Sequence, residues 1–283
     1  MNRISDEIID LKYWVTILYE ILELNQGFVL RKSDGWEVDS ESLLQKVACH
    51  SLTVLDLLEG TRPKVDTIKS NINFIDYSSI YSIVRSALES YLVFNYVFID
   101  PTVGIRVKKL RHKIWDASSL SQRQKQLSVS DETRELLKEE KKSYFKLRRE
   151  ILRSKTVANV SISQLKNLQE KKAFDWKPNG GWRGIAKKSI LSEKYWVNVY
   201  GLLSSITHSD AVIFNLFSNG QQKEVQEANA LTATSFLNYI IPLFIDGYAK
   251  LFPKVKSYLE KNDNLRFNIE VAKKVVSGYG NQE

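Results

Sequence analysis

The chain has 283 residues, with 41 lysines and arginines against 33 aspartates and glutamates, a formal net charge of +8, and 43% hydrophobic content. That much apolar material can build a core, which excludes wholesale disorder. The single cysteine, Cys49, excludes an internal disulfide and any cysteine-based zinc cluster. Only 12 glycines and 5 prolines interrupt long segments of 3.6-residue periodicity, so the expected class is all-α: a multi-helix bundle.

Residues 4–25 place Ile8, Leu11, Trp14, Leu18 and Leu22 on the broad apolar face of a first helix, ending near Asn25-Gln26-Gly27. The acidic residues in this N-terminal stretch stand where a secretory signal would need a basic and then an apolar run, so a cytoplasmic protein is expected. A turn at 33–39 leads to a second helix that Asp39 or Ser40 can cap and that runs to about Glu59-Gly60. Within it, Cys49 reads as a small core residue among Val47, Leu52 and Val54, and His50 as a surface or half-buried residue.

The stretch from Asp76 to Asp100 organises the rest. Its apolar residues leave no wide charged face, which predicts a central helix at about 76–99, buried on most sides. Ser82, Arg85, Ser86 and Glu89 fall at i, i+3, i+4 and i+7 and form one narrow polar stripe. A buried stripe of this kind needs partners, since an unpaired buried charge is strongly unfavourable. Neither this segment nor 236–252 supplies the roughly 20 uninterrupted apolar residues of a membrane span, so no transmembrane helix is expected.

Between 104 and 157 the composition changes, to sixteen basic against seven acidic residues, a local excess larger than that of the whole chain. The pattern predicts two helices, roughly 104–126 and 131–155, with Ser130 as N-cap and Asp131 and Glu132 in the first turn, where the helix dipole favours them. They read as an exposed antiparallel hairpin projecting from a single helical domain that spans residues 1–283. A bland reading makes the hairpin a solvated pair laced with i, i+3 and i+4 ion pairs. The functional reading makes it the footprint of RNA or another polyanion, with Lys108, Lys109 and Arg111 among its contacts.

A weaker helix at 161–173 precedes an irregular loop, FDWKPNGGWRG at 174–184, whose two tryptophans should pin it to the core. A further apolar helix carries a second polar line, Tyr200, Ser204 and His208 at i, i+4 and i+8. The remainder reads as two helices, 223–251 and 253–276, the first bent at Pro242.

Arg85, Glu89 and His208 together suit metal-independent phosphodiester cleavage. A histidine and a carboxylate supply acid and base, the guanidinium steadies phosphate charge, and Ser86, Tyr200 and Ser204 orient substrate or imidazole. The structural alternative is a buried network that sets helix register. The residues also suit a non-enzymatic interaction protein, whose hairpin docks an acidic partner. One histidine and one glutamate make a poor metal ligand set, so no metal and no other cofactor is expected. No membrane partner is expected, and a homodimer stays open. Gly-rich phosphate loops, nucleophile elbows and His-Glu-x-x-His are absent from the sequence.

The order Arg85-Ser86-x-x-Glu89-x-Tyr91, a basic segment, Trp182-x-x-Gly184-Ile185-Ala186 and Tyr200-x-x-x-Ser204-x-x-x-His208 resembles a widespread bacterial all-helical family known only as a domain of unknown function. The likeness spans about 70–250. It implies a bundle in which the helix bearing Arg85 and Glu89 faces the helix bearing Tyr200, Ser204 and His208. A thinner resemblance links Arg106-x-x-x-x-x-His112 to HEPN-fold defence and toxin ribonucleases, although six residues on one helix set the two about 240° apart, and an exposed histidine on a basic helix is the simpler reading.

Overall fold

The computed structural model describes residues 3–26, 35–60, 74–125, 130–207 and 222–278. Among these residues the chain forms helices and turns and no strand. It divides into two compact units, Met1–Phe94 with Ile190–Glu283, and Asn95–Ser189.

The first unit is built on α3, Tyr77–Phe94. Ile80, Val84, Ala87, Leu88 and Leu92 have no exposed surface, as the apolar pattern requires of a central rod. Around it pack α2 (Asp39–Leu58), α8 (Glu193–Thr207) and α9 (Lys223–Ala249). The α1 helix (Arg3–Asn25) lies on α9 and α2. Phe94 stacks on Phe244 of α9 at 4.3 Å between ring centres, and Tyr91 meets the same ring edge-on. Pro242 sits buried inside α9, which continues through it. By length and composition α9 could cross a membrane, yet 61% of its most apolar window is buried within the protein. The segment expected as one last helix is two, α10 (Pro253–Glu260) and α11 (Asp263–Gly278). Asn262 breaks the run by accepting the Leu265 amide on its side chain at 3.1 Å, a local cap that competes with helix continuation.

Two expectations for α2 are corrected. Val38, with no side-chain cap bond, takes the N-cap position, while Asp39 lies in the first turn and Ser40 donates back to the Glu37 carbonyl. Cys49 is exposed. The buried residues of α2 are Ser40, Leu44, Val47, Ala48, Ser51 and Val54, a stripe at helical spacing from which Cys49 is rotated away.

The second unit begins where α3 gives way to a π turn, Asn95–Ile99. Its closing bond runs from the Asp100 amide to the Asn95 carbonyl at 2.7 Å, and Pro101 follows, a residue that disfavours helical backbone just before it. The basic pair is α4 (Ile105–Arg123) and α5 (Asp131–Leu152). Lys113 pairs with Glu150 at 2.7 Å and Arg123 with Glu140 at 3.0 Å, and this register makes the two helices antiparallel. Ser130 caps α5 by accepting the Thr133 amide, as its position predicts. Arg134 with Asp131, Lys138 with Glu135 and Lys142 with Glu139 form exposed i, i+3 pairs.

Leu110, Ile114 and Ala117 of α4 join Tyr144 and Ile151 of α5, Leu168 of α6 (Ile162–Gln169) and Phe174 in a separate core. Gln164 ties the irregular loop to that core. Its Nε2 lies 2.7 to 3.1 Å from the carbonyls of Asp175, Trp176 and Lys177, and its Oε1 accepts the Ser161 amide in a capping box. Trp176 and Trp182 meet edge to face at 6.0 Å. Gly180 and Gly181 both adopt positive φ at the entry to α7 (Gly181–Ala186). Gly184 is required sterically, because a Cβ there would stand 2.5 Å from the Asn179 carbonyl oxygen.

Candidate functional site

The polar stripe of α3 finds its partners on the two helices that flank it in the first unit. Arg85 Nε donates to Glu89 Oε1 at 3.1 Å, one helical turn along, and Arg85 Nη2 donates to the Tyr200 hydroxyl of α8 at 3.1 Å. That hydroxyl in turn donates to Glu89 Oε1 at 3.1 Å, closing a triangle. Tyr200 is held in place by Trp196, stacked on its ring at 4.0 Å. Burial opposes the charge on Arg85, but the Tyr200 and Glu89 contacts outweigh it and raise its pKa. Burial and the neighbouring Glu89 charge likewise raise the Tyr200 pKa, so the phenol stays protonated and acts as a donor.

Ser86, next on the stripe, meets His50 of α2, with Nε2 to Oγ at 3.1 Å. Burial first, then Lys46, lowers the His50 pKa, so the neutral imidazole is favoured and can accept the Ser86 hydroxyl proton. At the far end of the stripe Ser82 stands 3.5 Å from the Thr207 hydroxyl. Sequence reasoning finds the stripe, the family resemblance implies that it faces the helix of Tyr200, and His50 is half-buried as expected, but nothing in the sequence pairs it with Ser86, 36 residues away on another helix. Ser204 is half-buried one turn beyond Tyr200. His208, the candidate acid or base, lies outside the described residues.

The remaining candidates are in the second unit. Lys108 donates to the Ile99 carbonyl at 3.0 Å, satisfying a backbone acceptor at the end of the π turn. Arg111 Nη1 donates to the Tyr96 carbonyl at 2.8 Å and to Asp100 Oδ2 at 2.7 Å. Asp100 also accepts the Thr102 amide and hydroxyl, at 2.9 and 2.6 Å. Burial alone would raise the Asp100 pKa, but the Thr102 and Arg111 bonds hold it below the ordinary value. Lys109 is half-buried.

Arg106 is exposed, whereas His112 is buried against Phe98 and Trp115, at 5.8 and 5.9 Å between ring centres. This corrects the expected exposed histidine, because Phe98 of the π turn and Trp115 of α4 itself cover the ring. Among the described residues no three His, Cys, Asp or Glu side chains are grouped to hold a metal.

The arrangement defines an all-helical protein with an Arg-Glu-Tyr triangle in one unit and a basic helical pair in the other. Residues 67–225 match the model of a family of unknown function (DUF5677), more than half of the chain, and the protein belongs to that family. No curated protein and no solved structure matches it.

Proposed function

We propose that this protein binds RNA, or a comparable polyanion, through the basic helical pair of its second unit. The observation that carries this reading is the partition of charge. Residues 95–189 hold twenty-three lysines and arginines against ten acidic residues, an excess of thirteen, so the rest of the chain has five more acidic than basic residues. Charge concentrated in one compact unit gives a surface potential that attracts phosphate backbones, which an even spread of the same net charge would not. Lys138, Lys141, Lys142, Lys146 and Arg149 are all exposed on α5. A cytoplasmic setting belongs to the same proposal, and a role in defence or toxin action rests on the HEPN resemblance alone.

The finer reading assigns metal-independent phosphodiester cleavage to the α3 stripe. Arg85 would steady the phosphate, Glu89 and His208 would exchange protons, and Ser86, Tyr200 and Ser204 would position substrate. One observation favours the rival, a structural network in a non-enzymatic interaction protein: Arg85, Glu89 and Tyr200 already satisfy one another in a closed triangle.

Titrating the full chain with labelled single-stranded RNA at increasing salt tests the binding reading. Affinity should fall steeply and linearly on a logarithmic salt scale. Incubation of the same RNA with chelator present tests cleavage. Absence of salt-dependent binding would leave the interaction-protein reading in its place.

A further inference from the structure

A pocket of about 320 Å³ in the second unit has no part in the α3 stripe and lies apart from the exposed lysines of α5. Its size is at the small end of ligand pockets, suited to one flat group rather than to a helical groove. Arg111 lines it beside Tyr96, Trp176, Asn159 and Asn179. The Arg111 side chain is only 12% exposed, and its guanidinium lies over the Tyr96 ring at 3.8 Å. Nη1 is committed to Asp100 and to the Tyr96 carbonyl, while the Nε and Nη2 edge takes no partner among the described residues.

Charge balance decides what this edge can recognise. Asp100, with no exposed surface, neutralises Arg111, so the guanidinium that lines the pocket has a planar pair of donors to offer without a net positive charge. A phosphate would gain little there, because the attraction of the guanidinium is offset by the carboxylate behind it. A neutral group with two adjacent acceptors on one edge loses nothing to that offset. Among RNA bases guanine offers such a pair at O6 and N7 and cytosine at O2 and N3, whereas adenine sets a donor beside its acceptor; of the two, the larger purine ring covers more of the aromatic walls. The aromatic walls and the stacked guanidinium suit a flat ring, and single strands make unstacked bases available.

We propose that this pocket binds a guanine base, with Arg111 donating through Nε and Nη2 to O6 and N7. The RNA reading supplies the source of the base, and the inference rests on it to that extent. The pocket chemistry stands on Arg111, Asp100 and Tyr96.

The test is calorimetric titration of the full chain with GMP, AMP, CMP, UMP and inorganic phosphate, alongside single-stranded RNAs with and without guanine. GMP should bind roughly tenfold or more tightly than AMP, the discrimination expected of one bidentate pair. Inorganic phosphate should not displace it. Ala158 lines the pocket and is exposed, so Ala158→Trp fills the space and leaves the Arg111–Asp100 pair intact. That variant should lose GMP binding with its unfolding temperature unchanged, and Arg111→Lys should lose the preference for guanine. Displacement by phosphate, CMP or any other nucleotide bound as tightly as GMP, or GMP binding retained in Ala158→Trp would each overturn the assignment. RNA bound with no guanine preference would sink the pocket and spare the polyanion reading. GMP bound by a chain with no affinity for RNA would uphold the pocket and sink that reading.

Discussion

Arg111 on α4 reaches back eleven residues to Asp100, with Nη1 2.7 Å from a carboxylate that has no exposed surface. The π turn makes this contact, because it ends the central helix with the Tyr96 and Ile99 carbonyls still open, and Arg111 and Lys108 fill them. Removing the cation leaves a buried charge without compensation, so Arg111→Met should cost about 3 to 5 kcal/mol in urea unfolding. The pH dependence has a definite sign. The folded pKa of Asp100 is depressed below its ordinary 3.8, so its contribution is complete above that value and is lost as pH falls through the folded pKa. The stability gap between wild type and Asp100→Asn should therefore be level at neutral pH and close only in acid below 3.8.

Gly184→Ala tests the loop. The added methyl would meet the Asn179 carbonyl oxygen at 2.5 Å, and a backbone atom cannot swing aside as a side-chain tip could. A loss of about 1 to 3 kcal/mol is expected in thermal unfolding, the range for forced overpacking. Gly201→Ala, with nothing within 4 Å of the new atom, is the matched control and should be neutral or slightly stabilising.

These two sites show where sequence is informative and where it is not. The apolar density of 80–99 predicts the central helix, and the i, i+3, i+4, i+7 stripe predicts that it needs partners, because both are local periodicities. The cap at Ser130 and the loop at 178–181 are local in the same sense. Linear neighbours misplace Cys49, because its exposure depends on the helical face defined by Leu44, Val47, Ala48 and Ser51. His112 escapes the sequence reading because Phe98, which joins Trp115 of its own helix in covering it, comes from the π turn, whose geometry leaves no mark in the periodicity. His50 with Ser86 and Arg111 with Asp100 are products of packing, and no spacing rule announces them.

The exposed charge of α5 can be removed with little effect on folding. Lys108 and Arg148 should be left in place, since they donate to the backbone carbonyls of Ile99 and of Leu168 and Gln169. Changing Lys138, Lys141, Lys142 and Lys146 to Gln should leave the unfolding midpoint nearly unchanged. If these lysines neutralise phosphates, RNA affinity should fall and the logarithmic salt slope should flatten by about 0.7 for each phosphate left without its lysine. An unchanged slope would mark α5 as a solvated face.

His50 gives a pH signature of the opposite end of the stability curve. Its folded pKa lies below the ordinary 6.5, so the unfolded chain takes up protons first as pH falls, and the stability supplied by neutral His50 is complete above 6.5 and lost beneath it. Wild type should lose stability relative to His50→Gln as pH is lowered from about 7 to 5, read by denaturant midpoints. A flat difference across that window would mean that the Ser86 contact does not depend on a neutral ring.

The Arg85–Glu89–Tyr200 triangle is where network and active site make different predictions. Tyr200→Phe removes one hydroxyl and leaves the Arg85–Glu89 pair, so it should cost about 1 kcal/mol. Glu89→Gln takes the carboxylate of the triangle away from half-buried Arg85 and should cost about 1 to 3 kcal/mol. His208→Ala removes the one further candidate acid or base on the Tyr200, Ser204, His208 line. If the stripe performs cleavage, all three variants should remain folded at 25 °C while RNA cleavage drops by about 100-fold or more, far beyond any change in folded population. Each loss should appear in the rate at saturating RNA with binding preserved, because the basic pair lies in the other unit. If the triangle only sets the register of α3 against α8, loss of function should instead track loss of stability variant by variant, and Tyr200→Phe should be the mildest. A wild-type chain that binds RNA with the expected salt slope but leaves it intact would establish the network reading and confine function to binding.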